Sequence, residues 1–340
     1  MSDPTVGLKL PTVGERPDRP DTHSTAGWAE RAETLGYDSI WMSEAWGADA
    51  LVELGTAAER TDSIRLCTAI VNVYSRTPAV LAMAGATLQR LSGGRAVLGV
   101  GASHPGFVES LHGMAYERPV RRVHEAIELV KALTGGGDGS NTTVTYDGEI
   151  FSVDGHAPFD EAVPVYNAAL GEANRRATGR VADGWLPYVF PVSALGEAFE
   201  TVARTAREAG RDPDAIEVTP QVMAAVDDDP EVAKDVVREY VARYVGALSN
   251  YRNALADWYP DEAAAIGDAW ESGGMEAAMD AVPDELVFEL GVAGTAEDAR
   301  DQLRAVLDEP VVDCPIVYVP RSAPDAVRDR TIEALAPGRL

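Results

Sequence analysis

Residues 92–103 read SGGRAVLGVGAS. The stretch predicts a turn at Ser92-Gly93-Gly94, a buried strand over 95–100 and a glycine-flanked exit. Gly99-x-Gly101 admits two readings. It opens a dinucleotide-binding crevice in an open sheet, or it is one stave of a barrel. A dinucleotide fingerprint needs a third glycine and an unbroken helix start. Here the third position is His104, followed by Pro105. The acid expected about 20 residues on falls in Tyr116-Glu117-Arg118-Pro119, which reads as a turn and a helix start. In a barrel, the same glycines let the chain leave the strand with no side chain blocking the mouth.

The flanking sequence repeats one rhythm. Apolar runs at 6–10, 39–42, 64–71, 96–100, 163–169, 185–188, 216–226 and 314–319 are each separated by helical patterns. Thr77 caps a helix that Pro78 opens. Leu81, Ala84, Leu88 and Leu91 then give it one apolar face, and Gly93-Gly94 ends it. Thr295-Ala296-Glu297-Asp298 resembles a capping box opening the last regular helix. Strands alternating with helices pair in parallel through right-handed crossovers. Eight units predict an α/β fold, a (β/α)8 TIM barrel, in a single domain over 1–340. Two segments break the rhythm: a loop and hairpin excursion at 135–162, turning at Asp147-Gly148, and a helical insertion at about 230–290. The insertion's aromatics Tyr240, Tyr244, Tyr251, Trp258 and Trp270 read as core or lid packing.

Composition narrows the function. The chain of 340 residues carries 55 acidic and 29 basic side chains, a net charge of -26, with Lys9, Lys131 and Lys234 its only lysines. The acid is spread along the chain, as on a solvated, salt-adapted surface. It argues against nucleic acid, whose binding rests on basic contacts to phosphate. No apolar run reaches membrane-spanning length, and the N-terminus lacks the pattern of a secretory signal, so a cytoplasmic protein is expected. Cys67 and Cys314 sit in apolar runs and read as reduced, buried thiols. No cysteine cluster, HxH or HExxH supports a metal site.

LGYDSIW (35–41), IVNVYSRTPAVLA (70–82), LSGGRAVLGVGAS (91–103) and ALGEANRRATGRVADGW (169–185) resemble the luciferase-like monooxygenase superfamily. The branch they most resemble uses the deazaflavin coenzyme F420 and includes methylene-tetrahydromethanopterin reductase. The resemblance, with the acidic composition, implies a haloarchaeal source and a homodimer or higher homo-oligomer. It implies hydride transfer between the deazaflavin and an unidentified small organic substrate. Reduced FMN in a monooxygenase is the alternative, and a non-catalytic coenzyme-binding barrel the second.

The resemblance also assigns residues. It implies a non-proline cis peptide at Ala69–Ile70, forming a bulge behind the ring, with Ser43 and Asn72 beside it and Tyr74 near ring or substrate. It places the coenzyme's phosphodiester at the helix start Gly171-Glu172-Ala173-Asn174-Arg175-Arg176. Exposed N–H groups and the helix dipole favour a phosphate there, and Arg175 or Arg176 would add a fork of donors. Lys9 stands where the pterin reductases carry a glutamate, and His104 about where they carry an aspartate. Glu44 keeps the acid of the deazaflavin-dependent alcohol dehydrogenases, while Ala45 replaces their histidine. An inward-facing lysine is costly unless paired or functional, so Lys9 is expected to pair with Glu44. His104 or Glu44 is expected to handle the proton, with Lys9 orienting a substrate that bears negative charge or a polarised carbonyl. His23, His112, His124 and His156 read as structural.

Overall fold

The computed structural model describes residues 4–10, 24–135 and 143–340; His23 and most of the 135–141 loop lie outside them. Seven of the eight staves are Gly7–Lys9, Ser39–Met42, Arg65–Thr68, Ala96–Gly101, Val165–Asn167, Gly184–Trp185 and Ile316–Tyr318. The remaining one, seventh in chain order, comes in two halves, Glu217–Val218 and Gln221–Val226. Every stave pairing is parallel.

Those two halves close the ring. The first pairs with Gly184–Trp185, the second with Ile316–Tyr318. Thr219 N donates to Trp185 O and Gln221 N to Pro187 O, both at 2.9 Å, and Tyr188 bridges Gln221. On the other side Ile316 N donates to Pro220 O at 2.8 Å. Pro220 has no N–H to place, so it fits a point where the ladder changes partner.

Side chains alternate across the staves. Outside, Leu8, Ile40, Leu66 and Leu98 pack against the helices; full burial of each stabilises the fold by about 2 kcal/mol. Inside, Trp41, Cys67, Val97, Tyr166, Leu186 and Ile316 fill the ring. Tyr166 also donates to Glu217, which Arg65 grips through two nitrogens at 2.7 and 3.0 Å. Burial holds the Cys67 thiol above its ordinary range and pushes Cys314 up to about 12. Both are free and reduced.

The Gly99-x-Gly101 question has a steric answer. A Cβ on Gly99 would lie 1.9 Å from the Thr68 carbonyl oxygen. Glycine therefore lets the fourth stave press against the third, where Thr68 Oγ1 donates to Gly99 O at 2.9 Å. The third run is not one strand over 64–71. It stops at Thr68, passes the cis bond Ala69–Ile70, and resumes as Val71–Asn72 against Val100 and Gly101.

The helix signals mostly fold as read. Thr77 Oγ1 accepts from Val80 N, with Pro78 at the first position, and Gly93 and Gly94 take φ of 65° and 99°. Thr295 and Asp298 form the capping box. The buried face of Pro78–Leu91 differs from the expected one. Leu81 and Leu88 are buried, but Ala82, Gly85 and Ala86 complete the face, and Leu91 is 46% exposed. The helix seats on Leu98, whose Cδ1 would lie 2.6 Å from a Cβ on Gly85.

The hairpin excursion is present as Val144–Asp147 against Ser152–His156. Its turn is held by buried Glu125, which accepts from the N–H groups of Glu149, Ile150 and Phe151 and from Arg121. The insertion comprises Pro230–Ala247, Ser249–Ala256, Pro260–Asp280 and Asp284–Leu290. One further helix, Asp325–Ala334, follows the eighth stave, so the capping-box helix is not the last. No helix among the described residues is long and apolar enough to cross a membrane.

Candidate active site

The mouth of the ring, at the C-terminal ends of the staves, opens into a cavity of about 500 Å³. Loops after the staves supply its walls: Lys9 from the first, Ser43, Glu44 and Ala45 from the second, Ala69 and Ile70 from the third. Gly101 to His104 come from the fourth, and Ala168, Leu170, Gly171 and Asn174 from the fifth. Leu186, Tyr188 and Gln221 complete the ring, and Phe107, Tyr116, Val120, Tyr244 and Tyr251 cover it.

One wall is the Ala69–Ile70 segment, with its peptide bond cis. Ser43 Oγ donates to Ala69 O at 2.6 Å, and Glu44 N donates to Ile70 O at 3.0 Å. The wall is thus tied to the loop after the second stave from both carbonyls. Asn72 does not join it. It is buried behind, where its Oδ1 accepts from Tyr74 N at 3.0 Å and Ser75 N at 2.7 Å, shaping the turn. Tyr74 stacks on Tyr116 at 5.2 Å, and it is Tyr116 that faces the cavity.

Lys9 points inward, but not to Glu44. Its ammonium donates to Gln221 Oε1 at 2.7 Å and lies 4.9 and 4.6 Å from the ring centres of Tyr188 and Tyr318. Glu44 is gripped by Arg76, Nε to Oε1 at 3.0 Å and Nη2 to Oε2 at 2.7 Å, and accepts from Ala50 N at 3.2 Å. The hydrogen bond to Glu44 heads the causes that hold the Arg76 guanidinium above its ordinary value. A carboxylate held by two guanidinium bonds orients a loop well.

His104 caps the helix Pro105–His112: its Nδ1 accepts from Phe107 N at 3.3 Å. That bond assigns the proton of the neutral ring to Nε2. Burial holds His104 below its ordinary value, so the neutral form prevails near pH 7.

At the fifth stave the helix Glu172–Val181 starts with no side-chain cap. A Cβ on Gly171 would meet nothing within 4 Å, so its first turn is open to a ligand. Asn174 is set by Asn167 Nδ2, which donates to its Oδ1 at 3.1 Å. The arginines do not form the expected fork. Arg175 is buried, donates to Leu170 O and lies 5.9 Å from the ring centre of Phe190; Arg176 pairs with Glu172 at 2.5 Å on the surface. Neither they, Glu172 nor Ala173 lines the cavity. Burial lowers Arg175's value, and its Nε finds no partner among the described residues. An open slot, an apolar wall and an uncapped helix start fit a flat ring with an anionic tail.

Sequence reasoning missed Gln221, Arg76 and the covering Tyr116. Gln221 carried a signal, a lone amide opening the apolar run QVMAAV. Tyr244 and Tyr251, read as core or lid packing, pack on the core and also cover the cavity. Of the expected packing aromatics, Trp258 does pack, 6.1 Å from Phe190.

Fold and mouth together define a (β/α)8 barrel with an open cavity at the C-terminal ends of its staves, the end at which barrel enzymes carry their active sites. The chain belongs to the luciferase-like monooxygenase family, whose model matches residues 5–314. It is 30% identical, over 88% of its length and 90% of the relative's, to a Mycobacterium tuberculosis protein provisionally named a coenzyme F420-dependent oxidoreductase. It is 29% identical to the 5,10-methylenetetrahydromethanopterin reductase of Methanolobus tindarius, over 83% of this chain and 86% of that one. The solved coenzyme F420-dependent tetrahydromethanopterin reductase of Methanopyrus kandleri superposes with a TM-score of 0.79, covering 98% of each chain at 22% identity.

Proposed function

We propose that this enzyme is a coenzyme F420-dependent oxidoreductase acting on a small organic substrate. The observation that carries the reading is the tethered Ala69–Ile70 wall, set in an open slot of a chain whose relatives bear this coenzyme in their names. When bound, the deazaflavin supplies a two-electron hydride donor or acceptor. The protein supplies orientation, dryness and a proton site. Ala69 and Ile70 back the ring, and the N–H groups of the first turn after Gly171, with Asn174, take the tail's phosphate. Phe107, Tyr116 and Val120 exclude water. His104 holds the exchangeable proton at Nε2, while Glu44, gripped by Arg76, orients the loop after the second stave. Lys9, pinned by Gln221, orients a negative or polarised group of the substrate.

The same reading has the chain work in the cytoplasm as a homodimer adapted to high salt. An apolar groove between Ala50–Ala58 and Pro78–Leu91, where Val52, Met83 and Leu91 are exposed, supports a second copy packing there.

Titrating the pure protein separately with F420 and with reduced FMN, while following oxygen uptake, tests the reading. F420 is expected to saturate at one per chain, with FMN weaker and no oxygen consumed. Tight FMN binding with oxygen uptake replaces it with the monooxygenase reading. F420 binding without hydride exchange to any acceptor leaves a coenzyme-binding barrel.

A further inference from the structure

The cavity does not end at the ring slot. A second chamber of about 520 Å³ adjoins it, sharing Lys9, Ser43, His104 and Tyr244 with the first. Its own walls add Trp46, Tyr240, Arg243, Tyr318 and Arg321. Acidic side chains outnumber basic ones 55 to 29 in the chain. Yet among the described residues lining this chamber there is no aspartate or glutamate, while Lys9, Arg243 and Arg321 all face it. A local reversal of sign against so acidic a background selects anions.

The cations are ordered along the chamber. Lys9 is half-buried at its inner end, where the two chambers meet, and Arg243 and Arg321 are exposed at its rim. One nitrogen of Arg243 donates to Glu239 at 2.6 Å, which steadies the side chain. Between the ends stand aromatic faces. Tyr240 stacks on Tyr244 at 4.5 Å and meets Tyr318 edge-on at 5.3 Å, and its hydroxyl donates to that of Tyr318 at 3.0 Å. Trp46, 69% exposed, forms an apolar lip. Flat aromatic walls between an inner cation and outer guanidinium forks match a flat molecule with an acid at its far end.

We infer that this chamber is the substrate's, and that it takes a planar, conjugated carboxylic acid. The carboxylate lies at the Arg243–Arg321 rim, the conjugated body against Tyr240 and Tyr318, and the opposite end beside Lys9 and His104. The assignment rests on the reading above, in which the first chamber belongs to the coenzyme.

The test uses trans-cinnamate and its neutral isostere trans-cinnamamide, titrated calorimetrically into the full chain. The acid is expected to bind about tenfold more tightly than the amide, with a preference that shrinks in molar KCl. The double variant Arg243→Gln, Arg321→Gln is expected to lose the preference while binding the amide as before. Equal affinities, a preference that survives the double substitution, or no binding of either probe would overturn the inference. So would one-for-one competition between cinnamate and F420, which puts the acid in the first chamber. F420 is titrated in parallel. Failure of F420 to bind, with the acid preference intact, sinks the coenzyme reading and leaves the anion chamber standing.

Discussion

His104 illustrates how a backbone bond can choose a side chain's chemistry. By accepting from Phe107 N–H, it commits Nδ1 and leaves Nε2 to carry the proton. Its folded value lies below its ordinary 6.5, so the unfolded chain binds the proton more readily. Stability from the neutral ring is therefore full above about 6.5 and is lost as pH falls through that value toward the folded one. Denaturant titrations of wild type and His104→Asn from pH 7.5 to 5.5 should show the wild type losing more stability. His104→Ala should keep F420 binding but lower turnover about 100-fold; unchanged turnover removes the ring from the mechanism. Arg76→Met strands the Glu44 carboxylate, 13% exposed, and should cost about 2 kcal/mol in chemical unfolding. Adding Glu44→Gln should recover part of that loss. At this scale the sequence was half legible. Lys9, Glu44 and His104 do reach the mouth: parity along the first stave turns Lys9 inward, and Glu44 and His104 follow the C-terminal ends of their staves. Their partners were not legible, because Gln221 and Arg76 arrive from distant staves and loops.

Single elements of the barrel depend on spacing that only glycine permits. Gly99→Ala would drive a methyl into the Thr68 carbonyl, forcing the third and fourth staves apart. A loss of about 3 kcal/mol or more, or no soluble protein, is expected. Gly171→Ala makes a clean contrast. Its Cβ meets nothing, so the melting temperature should hold while F420 affinity falls, because the added methyl narrows the approach to the helix start. An unchanged affinity would place the coenzyme's phosphate elsewhere. The eight staves were legible as apolar runs, since a stave buried on both faces needs little beyond apolar length. The face of Pro78–Leu91 was misread because apolar residues lie all round it. Asp325–Ala334 was missed because it follows the expected final strand, is rich in charge and has no side-chain cap.

For the whole molecule, charge and closure set the behaviour. A net charge of -26 repels itself, and salt screens that repulsion. The melting temperature should climb steadily from dilute buffer to molar KCl; a flat response would remove the salt-adapted reading. Met83→Glu with Leu91→Glu should leave a monomer by light scattering if the groove between the early helices pairs two copies. The ring itself has a weak place. One residue pair, Thr219 and Pro220, hands the seventh stave from one neighbour to the other, and just beyond it Tyr188 and Gln221 both look into the cavity. The hoop is thus fastened at a seam that opens onto its own binding slot. Whatever settles between those two side chains acts as a clasp, so occupancy of the mouth and integrity of the hoop rise and fall together. Backbone hydrogen exchange at 185–188 and 217–222 would slow first when the enzyme is loaded.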